Sequence, residues 1–400
     1  MPNKKGAHMQ SNKHQKGEVS LFVVIFTTLL ITVVTVGFIR IMIQGQQQAT
    51  STDLSQSAYD SAQVGVEDGK RAILRYMNIC STGTQAECDL AKADLDSLVC
   101  NNAVRKLSDV DSVSSDAEVK VQQSSSINDL DQAYTCTKIQ MDTIDVSGYL
   151  EKDGAKIIPL VGLSAFNKVK VEWFMSSDFS STFANVSFHP MSASIPPPLI
   201  SAGNWPTNRP PVLRTQLAQF NPTGFNLSGF DNGGVGNSNA NTLFLYPSSA
   251  GLPTMDFAAN DVRRGVNPPP VPGAPKPTRC VNLSGSAVYS CSVVLTLPNV
   301  VDVSSNGPTA ILRLKAIYNS TSFRVSLFDN SDTSVKFKGV QPMIDSTGRA
   351  NDLFRRVQAR VESIDPNFPY PDGAVQTTGN LCKDFFVTNS PDDYSNSCTP

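Results

Sequence analysis

Val19-Ser20-Leu21-Phe22-Val23-Val24-Ile25-Phe26-Thr27-Thr28-Leu29-Leu30-Ile31-Thr32-Val33-Val34-Thr35-Val36-Gly37-Phe38-Ile39 is a run of 21 residues without a charge or a proline. As a helix it is roughly 32 Å long, which matches a hydrocarbon core of about 30 Å. One membrane span is predicted. Upstream lie Lys4, Lys5, Lys13 and Lys16, with no acid before Glu18. By the positive-inside rule the short tail stays in the cytoplasm and everything past about Ile43 is exported. A cleaved secretory signal fits less well: the run exceeds a usual h-region, ends in Arg40, and is followed by no A-x-A-like site.

Downstream, no proline falls between Arg40 and Ile79. Small or apolar residues recur at Leu54, Ala58, Ala62, Gly65, Gly69, Ala72 or Ile73, Tyr76 and Cys80, steps of three and four that mark one face of a helix. A single helix of about 60 residues, roughly 90 Å, is therefore predicted, apolar in its first half and amphipathic in its second.

Composition narrows the function classes. Forty per cent of the 400 residues are hydrophobic, enough for one large or two ordinary cores. The 33 basic and 35 acidic residues leave a net charge of −2, and past the four leader lysines the balance is 29 basic against 35 acidic. No basic surplus exists to neutralise phosphates, so nucleic acid is not an expected partner. Three histidines leave little for metal or general-base chemistry. No G-x-S-x-G, H-E-x-x-H or helix-opening G-x-G-x-x-G occurs, and Gly65 to Lys70 lacks the spacing and hydroxyl of a P-loop. His189 near a Ser-rich stretch has no orienting third group, and Asp231 to Asn241 misses the EF-hand spacing. We expect no enzyme, no metal and no cofactor.

The leader ending in Lys16-Gly17, the apolar helix after it, and Ser57-Ala58-Tyr59-Asp60-Ser61-Ala62-Gln63-Val64-Gly65-Val66-Glu67-Asp68-Gly69 together resemble the N-terminus of type IV pilins. Minor pilins of the PilX and pseudopilin K kind are the most similar. The resemblance implies that a prepilin peptidase cuts after Gly17 and that Glu18 becomes a methylated N-terminus. It implies that the helix anchors in the membrane and then packs against other pilin subunits, with Phe22 on the filament-packing surface and Gly65 and Gly69 permitting close approach of the helix to its own head or to a neighbouring subunit. Most pilins carry glutamate at the fifth mature position, where this chain has Phe22. Pilins lacking it resemble those placed at a filament tip, so a tip or initiating subunit is implied. The locations implied are the cell membrane, then an extracellular filament.

The eight cysteines, Cys80, Cys88, Cys100, Cys136, Cys280, Cys291, Cys382 and Cys398, all lie on the exported side, where disulfides persist. Near-neighbour pairing is expected for Cys280 with Cys291 and Cys382 with Cys398, leaving the first four to pair among themselves.

The remaining chain reads as a helix over 89–107, a loop from Ser108 to Asp131, and then strands. Period-two alternation marks strands at Val169–Trp173, Leu312–Tyr318, Phe323–Leu327, Val335–Phe337 and Val357–Val361. Pro-rich stretches at 195–198, 204–211 and 267–277, with a Gly/Asn-rich loop at 229–241, read as an insertion or long connecting surface. Its aromatics Trp205, Phe225 and Phe230, with Trp173, Phe220 and Phe244, are candidate contacts for a ligand on another cell.

The expected fold is α+β, a long N-terminal transmembrane and amphipathic helix followed by a disulfide-stapled, mainly antiparallel β head. Its parts are a basic leader (1–17), the helix (18–79), a helical collar and loop (80–132), and a first head segment (133–188). The insertion (189–279) and a second head segment closed by a C-terminal disulfide loop (280–400) complete it. Two functions compete: a minor pilin-like filament subunit with an adhesive head, and a single-pass surface protein that binds carbohydrate or protein and never enters a filament.

Overall fold

With no proline to interrupt it, α1 (Gly17–Thr82) runs for 66 residues. The computed structural model describes residues 17–108, 118–121, 131–178, 188–192, 200–220, 240–261, 275–283, 288–303 and 309–363, with side chains omitted at 17–20, 189–192 and 202. After α1 come α2 (Gln85–Leu95) and α3 (Asn102–Leu107). The strands follow as β1 (Val119–Lys120), β2 (Gln132–Gln140), β3 (Asp145–Leu150), β4 (Ala155–Leu160), β5 (Phe166–Met175), β6 (His189–Ser192), β7 (Val212–Phe220) and β8 (Ala240–Ala250). Then come β9 (Thr254–Asp256), β10 (Lys276–Arg279), β11 (Tyr289–Val301), β12 (Thr309–Ile317), β13 (Thr321–Phe328), β14 (Ser334–Val335), β15 (Met343–Ala350) and β16 (Leu353–Arg360).

The helix expected over 89–107 is two helices. Thr84 and Glu87 start α2 with a reciprocal capping box. The break falls before Asn101, whose backbone is left-handed at φ 62°. Its amide side chain is engaged elsewhere: Nδ2 donates to Thr135 O at 3.1 Å, and Oδ1 accepts from Thr137 N at 2.7 Å. The fastening of α3 to β2 overrides helical continuity here.

The sixteen strands among the described residues form three sheets. One is four-stranded and antiparallel, in the order β1-β2-β15-β16. The second runs β10-β8-β7-β12-β4 with β6 also on β8, and the third runs β14-β13-β5-β11-β9 with β3 also on β13. Most pairings are antiparallel, the exceptions being β10 and β6 on β8 and β9 on β11. The two six-stranded sheets share one core. Leu213, Leu217, Leu243, Leu245, Leu312 and Leu314 come from one sheet, and Val169, Val171, Trp173, Val293, Leu295, Phe323 and Val325 from the other. That is a β-sandwich.

Strands β3 to β14 all belong to the sandwich, whereas β2 and β15 lie side by side in the four-stranded sheet. Residues 141–342 thus leave one small sheet and return to it. The stretch 189–279, read from its prolines as an insertion or connecting surface, contributes β6 to β10 to the sandwich. Its Leu213, Leu217, Leu243, Leu245, Met255 and Phe257 are core residues, alternating with outward residues on strands whose prolines lie mostly at their margins.

Candidate functional site: the N-terminal helix and its sheet

Within Leu21–Ile39 the large apolar side chains are between 48% and 74% exposed, Phe22 being the most exposed, and nothing among the described residues covers them. The segment is long and apolar enough to cross a membrane. Its threonines do not break that character. Thr28 Oγ1 donates to Val24 O at 3.0 Å, Thr32 to Thr28 O at 3.0 Å and Thr35 to Ile31 O at 2.7 Å, while Thr27 bonds Val23 O. Each hydroxyl is satisfied by its own helix, as a lipid environment requires.

Beyond the span the helix meets the four-stranded sheet. Ala58, Ser61, Ala62, Gly65, Val66, Asp68, Gly69, Ala72 and Ile73 are buried, a stripe with the helical period. Three glycines set the closeness. A Cβ on Gly65 would lie 2.2 Å from Ser346 Oγ and 2.6 Å from Thr137 Oγ1, and one on Gly69 would lie 2.8 Å from Ile344 Cγ2. From the other side, a Cβ on Gly348 of β15 would lie 2.2 Å from both Ala58 O and Ala62 N. The helix backbone rests directly on the strand.

Polar groups caught in this interface are paired, as burial demands. Tyr134 Oη donates to Asp68 Oδ2 at 2.9 Å, and Arg71 Nη1 reaches Asp68 Oδ1 at 3.0 Å. Burial, reinforced by the Asp68 carboxylate, pushes the Tyr134 hydroxyl far above the usual phenol range. It remains a donor at every physiological pH. Under Gly65 the hydroxyls of Thr137 and Ser346 pair at 3.0 Å. Glu118, just before β1, and Asp131, just before β2, both pair with Arg349 of β15 at 2.7 Å.

The structure distributes the expected site residues unevenly. Gly17 and Glu18 open α1. Phe22 is on the uncovered apolar segment, and of the two approaches expected of Gly65 and Gly69, to the head or to a neighbour, the single chain displays the one to its own sheet. Trp205, expected as an exposed contact, is 6% exposed. It stacks on Tyr318 at 4.4 Å, meets Tyr246 edge-on at 5.7 Å and carries Arg209 over its ring at 5.1 Å. A tryptophan flanked by Pro206 looks like a loop contact, yet its ring area is better buried than displayed. Phe225, Phe230, Cys382 and Cys398 lie outside the described residues. The other cysteines pair as Cys80–Cys88, Cys100–Cys136 and Cys280–Cys291.

Sequence reasoning missed Gly348, Tyr134, Thr137 and Ser346. The available signal was a glycine inside an otherwise regular strand, which often marks close backbone approach. Among the described residues no three His, Cys, Asp or Glu side chains gather to hold a metal. A shallow groove between α1 and β16, lined by Asp60, Gln63, Val64, Glu67, Lys70, Arg71, Val357 and Ala359, mixes charge with small apolar patches. The arrangement seats the helix that carries the apolar segment directly on the four-stranded sheet. No protein-family model, curated protein or solved structure matches the chain.

Proposed function

We propose that this protein is a membrane-anchored, exported structural subunit of a type IV pilus-like filament, placed at or near its tip, with the sandwich as its displayed head. The observation that carries this reading is the division of one continuous helix. Leu21–Ile39 is uncovered and apolar, while Ala58–Ile73 is locked into a sheet by glycine-mediated contact. An uncovered apolar helix of this length needs lipid or other helices around it. The pilin-like leader before Gly17 supplies the route from one to the other, since cleavage there frees the helix for a filament. Three disulfides in the described head accord with export to an oxidising compartment.

The test is the mass of the N-terminal peptide from protein isolated from its native cell surface. A peptide beginning at methylated Glu18 is expected. Gly17→Val should retain a longer precursor in the membrane and remove the protein from sheared filaments. An intact leader, or wild-type filament levels of the variant, would leave a single-pass tether in place of the filament subunit.

A further inference from the structure

β15 and β16 form a hairpin that runs along α1 toward its apolar end. On β15, Ile344 meets Gly69, Ser346 meets Gly65, and Gly348 meets Ala58 and Ala62, so each step along the strand moves toward the span. The hairpin turns at Asn351 and Asp352, both exposed, with the Asn351 backbone left-handed at φ 49°. On the returning strand, Arg355 Nε donates to Ser55 Oγ at 2.8 Å. Two residues earlier, Leu353 closes a cleft against α1 whose other walls are Ile43, Gln46, Gln47, Thr50, Ser51 and Leu54.

This cleft is open to its surroundings. Gln46, Gln47, Thr50 and Ser51 are exposed, and their side chains bond to no other described residue. Below them Ile41, Met42 and Ile43 are 49–70% exposed and continue the apolar run past Arg40, whose long side chain can snorkel. The hydrocarbon boundary therefore falls between Ile39 and Ile43. At about 1.5 Å per residue, Gln46 and Gln47 stand roughly 5–12 Å above it. The headgroup layer is about 5–8 Å deep on each side, and a spanning helix tilts by about 20° on average. Insertion of the span thus carries the mouth of the cleft into the headgroups.

We propose that this cleft binds the phosphate and glycerol of a phospholipid in the leaflet on the exported side, seating the hairpin on the membrane surface. The Gln46 and Gln47 amides and the Thr50 and Ser51 hydroxyls are the donors for phosphate and ester oxygens, with Ile43, Leu54 and Leu353 against the carbon atoms. No charged side chain lines the cleft, so a zwitterionic lipid suits it. The inference rests on the membrane span of the reading above and is independent of cleavage at Gly17.

The test places full-length protein, one copy per disc, in phosphatidylcholine nanodiscs carrying either a nitroxide on the headgroup or bromine at mid-chain. Wild-type protein supplies the background, since Trp173 and Trp205 are buried in the sandwich. Tryptophan at Asp352→Trp should lose about half or more of its emission to the headgroup label, as an indole at the interface does. Leu30→Trp, at the middle of the span, should be quenched by the mid-chain bromine. Leu74→Trp, roughly 45 Å above Ile43 along α1, should be quenched by neither. Adding Gln46→Glu with Gln47→Glu to Asp352→Trp sets two carboxylates against the phosphate and should recover about half of the lost emission. If Asp352→Trp does not fold, Phe354→Trp, at an exposed residue two positions on, is the reporter. Quenching at Leu30→Trp but not at the hairpin would overturn the proposal and leave the span standing. Quenching at the hairpin that the two glutamates do not change would overturn the cleft as the lipid site. Loss of hairpin quenching in discs holding two copies would assign the cleft to a second copy and overturn it equally. An unquenched Leu30→Trp would overturn the span, and the proposal with it.

Discussion

Adding one methyl group at each of the three interface glycines should produce three different costs, and their order tests how the helix is held. In Gly348→Ala the new Cβ falls 2.2 Å from Ala58 O and Ala62 N and 2.8 Å from Ser61 C, all backbone of α1. That is roughly 1.2 Å short of ordinary contact, and no rotamer relieves it. The helix must retreat, and a gap of even 0.5–1 Å forfeits about a quarter to a half of each dispersion well along the stripe. The cost belongs at the upper end of overpacking, roughly 3 kcal/mol or more. Gly65→Ala meets the Ser346 and Thr137 hydroxyls instead. Displacing that buried pair costs about 1–3 kcal/mol, of which better helix propensity returns about 1. Gly69→Ala presses only on the Ile344 side chain, which can shift. Overpacking and propensity then nearly cancel, leaving a change within about 1 kcal/mol. Amide exchange on β15 in full-length protein reads the series directly. Gly348→Ala should lose roughly a hundredfold protection while Gly69→Ala stays near wild type. Equal protection in the two variants would refute direct backbone contact as the device that holds helix to head.

Trp205→Ala should destabilise the sandwich by about 3–5 kcal/mol in thermal unfolding, since the ring is packed against Tyr318 and Tyr246 rather than displayed. Removing Cys100–Cys136 should cost more than removing Cys80–Cys88, about 3.8 against 2.5 kcal/mol in the chain-entropy model, because the closed loops differ as 36 to 8 in sequence separation; limited proteolysis of the two Cys→Ser pairs checks the order. For Glu172, burial alone would raise the carboxyl pKa, but hydrogen bonds from Arg324 and Lys170 outweigh it and hold the group below the usual range; Asp345 is held down by Arg356. Depressed carboxylates contribute stability that is complete above their unfolded pKa near about 4 and lost as pH falls through the folded value, so thermal midpoints should fall below about pH 4. Arg324→Gln should move the onset of that loss to higher pH, as circular dichroism melts across the range would register.

Local features of the chain were legible where one period of one element decided them. The apolar run and the small-residue stripe declare α1 because a helix repeats its face every three to four residues, and the stripe contains the residues that meet the sheet. Alternation likewise marks Val169–Trp173 and Phe323–Leu327, which lie within β5 and β13. Nearness alone suggested Cys280 with Cys291, and the two also face each other as an antiparallel bridge. The same alternation was present in Leu213, Thr215 and Leu217 and in Leu243 and Leu245, but the surrounding prolines and glycines suggested a connecting surface. What period could not carry was partnership. Trp205 owes its burial to Tyr318 and Tyr246, residues far along the chain, and Gly348 owes its role to a helix nearly 300 positions earlier.

The least legible feature, the passage of residues 141–342 out of the small sheet and back, follows from which strands carry it. β2 and β15 are the two central strands, paired at Gln140 with Met343 where the chain departs and returns. The sandwich is therefore suspended from two strands paired with each other, β15 being flanked by β16 along its whole length and β2 by β1 at Ala133 and Tyr134. Its root is pinned again by Arg360 to Asp145 at 2.6 Å, by Gln341 to the Ser147 backbone at 2.7 and 2.9 Å, and by the pairing of Lys156 with Glu362. β2 is tied to the helical collar through Cys136 and Asn101, and β15 lies under α1 at Gly348. A pull on the head thus loads both central strands in the same sense and passes into α1 through its closest backbone contact. Separating the head from the helix therefore requires the β2–β15 and β15–β16 ladders to give way together rather than a single strand to unzip.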